Sequence, residues 1–80
     1  MQIKVLAFGI AKEIFGGGSL QTELSDVQTV SALKEQLEEQ FPRLRQLSSY
    51  MVAVNNEYAQ PAMVLKAGDE VAIIPPVSGG

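Results

Sequence analysis

Residues 29–42 read TVSALKEQLEEQFP, the clearest helical pattern in the chain. Its large apolar residues recur at intervals of three or four positions, which places them on one face of a helix. They are Val30, Leu33, Leu37 and Phe41. Thr29 has the kind of side chain that caps a helix N-terminus, and Pro42 disfavours helical geometry at the residue before it. The stretch therefore predicts one amphipathic helix whose apolar face can cover a sheet.

Short runs of alternating apolar and polar residues lie on both sides of this helix. They predict strands at residues 2–8, 20–24, 50–54 and 70–74, with a short return strand at 57–59. If the one helix connects the strands and fills the core, the first and last strands must pair in parallel. The element order predicts an α+β fold of the ubiquitin-like β-grasp type, a mixed sheet with one main helix packed on one face.

Composition excludes several kinds of function. The 80 residues are enough for one hydrophobic core, and they include neither cysteine nor histidine. The chain therefore has no disulfide, no thiolate nucleophile, and no zinc or haem site with the usual ligands. It also lacks the general base most used near neutral pH, so we expect no self-contained catalytic site.

Charge and the N-terminal sequence bear on partners and location. A net charge of −3 does not favour binding to a phosphate backbone, so we expect no nucleic-acid partner. The start of the chain lacks a basic leader, and the apolar run at residues 5–11 is much shorter than the roughly 18 residues of a membrane span. We expect a cytoplasmic protein without membrane contact.

Two patterns that resemble binding motifs have simpler explanations. The three glycines at residues 16–18 are not followed by the Lys-Ser/Thr of a phosphate loop, and they lie between two predicted strands. We interpret them as a flexible hairpin loop. Glu35, Glu38 and Glu39 lie on the polar face of the helix, where carboxylates are usually solvated, so we expect no metal site there.

The sheet face that the helix leaves uncovered is the first candidate site. Alternation along the first and last strands places four apolar residues on it: Leu6, Phe8, Ala72 and Ile74. An exposed apolar patch of this kind usually marks a contact surface. Alternatively, the loop at residues 58–64 could fold over part of the patch, more readily at Leu6 than at Phe8 and Ile74, which lie nearer the strand ends.

The C-terminal sequence PPVSGG at residues 75–80 is the second candidate site. We interpret residues 1–74 as the folded domain and 75–80 as an extended tail, because Pro75 and Pro76 cannot donate to a sheet and favour extended geometry. The four residues that follow could reach about 13–14 Å, at roughly 3.3–3.6 Å per residue. Two glycines could enter a channel too narrow for any side chain. The alternative is an ordinary frayed terminus.

In the functional interpretation, the reactive group of the tail is the α-carboxylate of Gly80. A free carboxylate is a poor electrophile, but once ATP has activated it as an acyl-adenylate it can be attacked by sulfur or nitrogen. Because the chain has no cysteine, any sulfur that it carries would be on this carboxyl carbon, as a thiocarboxylate.

The C-terminal part of the chain resembles the small subunits of molybdopterin synthase, the sulfur carriers of molybdenum cofactor biosynthesis. The match rests on AVN at residues 53–55, GDEVA at 68–72 and the ending PPVSGG at 75–80, and it extends more loosely over the whole chain. A terminal Gly-Gly is shared with ubiquitin, with the thiamine-pathway sulfur carrier and with other β-grasp modifiers. The longer ending is much more specific to the molybdopterin synthase subunit.

This resemblance implies a reaction at Gly80, next to Gly79. An E1-like adenylyltransferase would adenylate the carboxyl group with ATP, and a sulfurtransferase system would convert the adenylate to a thiocarboxylate. The sulfur would then pass to cyclic pyranopterin monophosphate in the large subunit of molybdopterin synthase. The usual assembly is a heterotetramer with two large subunits at its centre. The chain itself would bind no cofactor, and the catalytic side chains would belong to the large subunit.

The resemblance also implies which residues bind partners. On the sheet these are Phe8, Tyr58 and Ile74, and in the tail they are Pro75, Pro76, Val77 and Ser78. Two alternatives stay open. The chain could be a thiamine-pathway sulfur carrier, or a non-catalytic β-grasp interaction module whose patch binds a partner and whose tail is inert.

Overall fold

A computed structural model describes residues 1–24, 28–47 and 49–75 of the chain. The elements within these ranges are β1 (Gln2–Ala7), α1 (Ile10–Phe15), β2 (Ser19–Glu23), α2 (Val30–Gln40), a 3₁₀ helix (Pro42–Gln46), β3 (Met51–Val54), β4 (Glu57–Tyr58) and β5 (Glu70–Ile74). The predicted strands are all found, and their ends differ from the predicted ends by at most one residue.

The five strands form one mixed sheet in the order β2-β1-β5-β3-β4. The first and last strands, β1 and β5, lie at its centre and pair in parallel. The other neighbouring pairs are antiparallel. The predicted parallel pairing of the terminal strands is confirmed, and with it the α+β class with one main helix on one face of a mixed sheet.

Helix α2 begins and ends where its sequence predicts. The hydroxyl oxygen of Thr29 accepts a hydrogen bond from the backbone N–H of Ala32 at 3.2 Å, which caps the first turn. Phe41 leaves helical geometry, with φ −129° and ψ 81°, directly before Pro42. The inward face of α2 shares one hydrophobic core with the inward residues of the two central strands. The fully buried members of this group are Val30, Leu33, Leu37, Ile3, Val5, Val71 and Ile73.

The 3₁₀ helix that follows α2 was not predicted from the sequence. Pro42 ends α2, but a proline is well suited to the first turn of a new helix because its missing N–H would have no partner there. The backbone N–H of Leu44 donates to the carbonyl of Phe41 at 2.9 Å, and the Leu44 side chain is fully buried. The chain therefore turns at once and contributes another residue to the core.

The loop after β4 lies beside α2. The alternative, in which this loop folds over the sheet face away from α2, is therefore wrong. The N–H groups of Val30 and Ser31 donate to the carbonyl oxygens of Met63 and Pro61, at 2.9 and 3.0 Å. These donors belong to the first turn of α2, which has no intrahelical partners for them. The loop satisfies them, and the sheet face away from α2 keeps its exposed apolar residues.

Candidate functional site

The strand register aligns apolar residues in a row across the sheet, on the face away from α2. Leu6 pairs with Ala72, Ala72 pairs with Ala53, and Ala53 pairs with Tyr58. Because paired residues in adjacent strands point to the same side, this row crosses four strands on one face. The same element order that creates the core thus also creates an apolar surface on its other side.

A second row lies beside the first, toward the C-terminal end of β5. Ile74 pairs with Met51 on one side. On its other side the backbone N–H of Phe8 donates to the carbonyl oxygen of Ile73 at 3.3 Å, which continues the β1–β5 pairing by one residue. We call the two rows together the outer face. Its residues are Leu6, Phe8, Met51, Ala53, Tyr58, Ala72 and Ile74.

Three large side chains of the outer face are exposed to solvent. Tyr58 is 70% exposed, Met51 51% and Phe8 46%. A groove of about 250 Å³ on this face is lined by Phe8, Ala53, Asn56, Tyr58, Ala72 and Ile74. The small side chains of Ala53 and Ala72 form its floor, while larger ones form its walls. An apolar groove with exposed aromatic walls is typical of a surface that binds another protein.

A tight turn determines where Tyr58 lies. Asn55 and Asn56 both have positive φ, 51° and 73°, as a two-residue hairpin turn requires. The Asn55 side chain accepts from the N–H of Glu70 and donates to the carboxylate of Asp69, each at 3.1 Å. These bonds fix the turn to the start of β5, and the return strand then places Tyr58 at the edge of the outer face.

The structure brings together three of the residues predicted from the sequence to bind a partner, Phe8, Tyr58 and Ile74. Their role in binding stays a prediction. Sequence reasoning missed Met51 and Ala53. Their alternation with the buried residues of β3 was visible in the sequence, but only the pairing of β3 with β5 shows that they extend the same surface.

The tail begins beside the outer face. Pro75 directly follows Ile74 and is partly buried, and a Cβ atom added at Gly9 would lie 3.4 Å from the Pro75 ring. Gly9 has φ 55°, a geometry that favours glycine, so the turn between β1 and α1 can approach Pro75 closely. The other predicted tail residues, Pro76, Val77, Ser78, Gly79 and Gly80, lie outside the described residues. Their roles, and the division at residue 75, stay predictions.

A second groove, of about 330 Å³, lies between α2, the 3₁₀ helix and the start of β3. The Tyr50 hydroxyl donates to the Glu38 carboxylate, whose other oxygen lies 3.7 Å from Nε of Arg45. The ammonium group of Lys34 lies 4.7 Å from the centre of the Tyr50 ring. Burial raises the pKa of Tyr50 well above its usual range, and the hydrogen bond and the negative charge of Glu38 raise it further. Tyr50 therefore stays a neutral donor, and we interpret these contacts as joining three elements of the fold.

In the parts of the chain that the structure describes, no three Asp or Glu side chains are grouped so that they could hold a metal ion. None of the helices described combines the length and the apolar character needed to cross a membrane.

Comparison with known proteins covers nearly the whole chain. The model of the ThiS family matches residues 5–80. The molybdopterin synthase sulfur carrier subunit of Chlamydomonas reinhardtii is 43% identical over 83 aligned positions that span all of both chains. The solved structure of SAMP1 from Haloferax volcanii matches over the full length of both chains, with 26% identity and a TM-score of 0.86. A chain in the complex of subunits 1 and 2 of the molybdopterin-converting factor from Helicobacter pylori also matches over the full length of both chains, with 25% identity and a TM-score of 0.72.

Proposed function

The chain belongs to the ThiS family, and we infer that it is a sulfur carrier in molybdenum cofactor biosynthesis. The observation that carries the inference is the match to the Chlamydomonas sulfur carrier subunit, which is 43% identical and spans all of both chains. The family match also includes the ending PPVSGG at residues 75–80.

The group that carries the sulfur is the carboxyl of Gly80. The chain has no cysteine, so no side-chain thiol can take this role. An E1-like adenylyltransferase joins the carboxylate to the AMP part of ATP and releases pyrophosphate, which turns a poor electrophile into a reactive acyl group. A sulfurtransferase system then replaces AMP with sulfur and leaves a thiocarboxylate. Gly79 and Gly80 offer no side chain that would hinder these enzymes.

Sulfur delivery takes place in the large subunit of molybdopterin synthase. The thiocarboxylate sulfur passes to cyclic pyranopterin monophosphate, and the carboxylate of Gly80 is restored with oxygen from water. Two deliveries supply the sulfur atoms of the dithiolene. The chain binds no cofactor of its own, and the catalytic side chains belong to the large subunit. Because activation consumes ATP, we place the reaction in the cytoplasm.

The outer face is the surface that docks the large subunit. Its exposed aromatic residues, Phe8 and Tyr58, flank an apolar groove, and Ile74 in that groove is followed directly by the tail. Docking there brings the tail to the partner together with the surface. The Helicobacter pylori relative was solved as a complex of subunits 1 and 2, which supports a large subunit as the partner. Two large subunits at the centre and one carrier at each end form the proposed heterotetramer.

Intact-mass spectrometry tests the proposed chemistry. The purified chain is incubated with its adenylyltransferase, its sulfurtransferase system, ATP and a sulfur donor. We expect a mass increase equal to the replacement of one oxygen by sulfur, located by fragmentation at Gly80. A chain that stays unmodified, while another carrier is sulfurated in the same mixture, would contradict the proposal.

Phe8→Asp tests the proposed docking surface. We expect roughly tenfold or greater loss of affinity for the large subunit, because the complex would bury an aspartate without a partner. The free energy of unfolding should change by about 1 kcal/mol or less, since Phe8 is 46% exposed in the free chain. Titration calorimetry and urea denaturation measure the two quantities.

The matched control for Phe8→Asp is Val64→Asp. Val64 is 50% exposed, but it lies in the loop beside α2 and not on the outer face. We expect it to bind like the wild type. Equal weakening by both variants would show that the outer face has no special role, and unfolding of Phe8→Asp would show that Phe8 belongs to the core.

A further inference from the structure

Met51 lies at one end of the outer face, beyond the groove. It is the first residue of β3 and pairs with Ile74, whose other neighbour on this face is Phe8. Half of the Met51 side chain is exposed, while the next residue, Val52, points inward and is buried. Met51 thus extends the apolar row of Phe8 and Ile74 across a third strand.

The fold gives little reason for a long apolar side chain at this position. Met51 belongs neither to the buried core nor to the partly buried side chains packed against it, whereas Met1 does pack against the core. An apolar side chain left half in water gains stabilisation when another surface covers it. A protein docked on Phe8 and Ile74 would cover Met51 as well, because the three residues are consecutive neighbours across the sheet.

We propose that Met51 is part of the surface that docks the large subunit, and that oxidation of its thioether to the sulfoxide weakens this docking. The inference rests on the proposed function, since it takes the large subunit as the occupant of the outer face. The proposal adds Met51 to the residues predicted to bind the partner. It also makes the affinity for the large subunit depend on the oxidation state of Met51.

The oxidant is a peroxide. Its terminal oxygen is transferred to the Met51 sulfur, the O–O bond breaks, the sulfur loses two electrons, and hydrogen peroxide leaves as water. The product is a polar sulfoxide in place of a flexible apolar group, and such a change disrupts methionine-containing interfaces. The chain has no cysteine, so before Gly80 is loaded with sulfur its three methionines are the sulfur groups that peroxide meets. Of these, Met51 is the one on the outer face.

Three variants of the full chain test the contact, each titrated against the purified large subunit by calorimetry. Met51→Lys should weaken binding roughly tenfold or more, because it places a charge in an apolar contact. Met51→Leu keeps an apolar side chain of similar size and should stay close to the wild-type affinity. Met63→Lys is the matched control, since Met63 is 40% exposed but lies in the loop beside α2, and it should bind like the wild type.

Oxidation is tested on the same proteins. The carrier alone is treated with hydrogen peroxide, freed of oxidant, and then titrated with untreated large subunit. Treated wild type should lose affinity, and treated Met51→Leu should not. Equal loss in both would overturn the role of Met51 oxidation, and wild-type affinity in Met51→Lys would overturn its place in the contact. Failure of untreated wild type to bind would overturn the proposed partner, and this inference with it.

Discussion

Deletion of Gly80 will reduce sulfur transfer to the pterin substrate by at least about a hundredfold, while the chain remains folded. The deletion leaves a carboxylate on Gly79. This carboxylate lies one residue short of the position of the Gly80 carboxylate, which is roughly 3.3–3.6 Å along an extended chain. Reacting atoms must approach to about 3–3.5 Å, and a misplacement of about 1 Å can already cost a hundredfold in rate. A carboxylate displaced by a whole residue should therefore miss both the adenylating site and the pterin site.

We expect this deletion to leave the fold unchanged, because Ile73 is the last buried core residue among those that the structure describes. Urea denaturation of the deleted chain should give the wild-type free energy of unfolding. A chain extended by one alanine is the complementary control: it keeps Gly80 but converts its reactive carboxyl into a peptide bond. It should be equally inactive. Wild-type sulfur transfer by either chain, measured as pterin dithiolene formed, would show that the reaction does not need a free Gly80 carboxylate.

Alanine substitutions at two adjacent isoleucines in β5 should have different effects, one on stability and the other on binding. Ile73 is fully buried in the core, and Ile74 points to the outer face. Ile73→Ala should lower the free energy of unfolding by about 2–5 kcal/mol, from the lost burial and the cavity that remains. This is a large part of the roughly 5–15 kcal/mol of a typical domain. Ile74→Ala should cost about 1 kcal/mol in stability but should weaken binding to the large subunit.

The pair is well matched because the two substitutions are chemically the same and lie in the same strand. The loss of β propensity is shared, so the difference between the variants reports the environment of each side chain. Urea denaturation of the isolated chains, followed by circular dichroism, measures stability, and calorimetry measures binding. Equal destabilisation by both substitutions would mean that the two faces of β5 are not core and surface as described.

Much of the fold could be predicted because periodicity and turn chemistry agree along the chain. Thr29 and Pro42 mark the limits of α2, and the apolar spacing between them fixes its buried face. Asn55 and Asn56 tolerate the positive φ of the hairpin turn. The 3₁₀ helix was missed because its short length gives no periodic pattern, so nothing in the sequence distinguished Leu44 from a loop residue.

The candidate site was predicted only in part, for a physical reason. Alternation along a strand gives the face of each residue, but it does not give the neighbouring strand. Phe8 and Ile74 could be placed because the first and last strands were expected to pair. Met51 needed the β3–β5 register, which depends on packing of the whole sheet. The course of the loop at residues 58–64 likewise depends on the first N–H groups of α2, which have no partner within the helix and bond to the loop instead. The loop sequence by itself does not reveal this.

A defined reconstitution tests whether Gly80 delivers sulfur to the molybdenum cofactor precursor. Purified carrier bearing the Gly80 thiocarboxylate is mixed with the large subunit and cyclic pyranopterin monophosphate, with no other sulfur source. We expect the dithiolene product to form as the thiocarboxylate is consumed, and the Gly80 carboxylate to be regenerated. The thiocarboxylate could instead persist and no dithiolene form, while another loaded carrier is active with the same large subunit. That result would show that this chain does not deliver sulfur to the pterin, and the thiamine-pathway carrier or the inert interaction module would become the better interpretation.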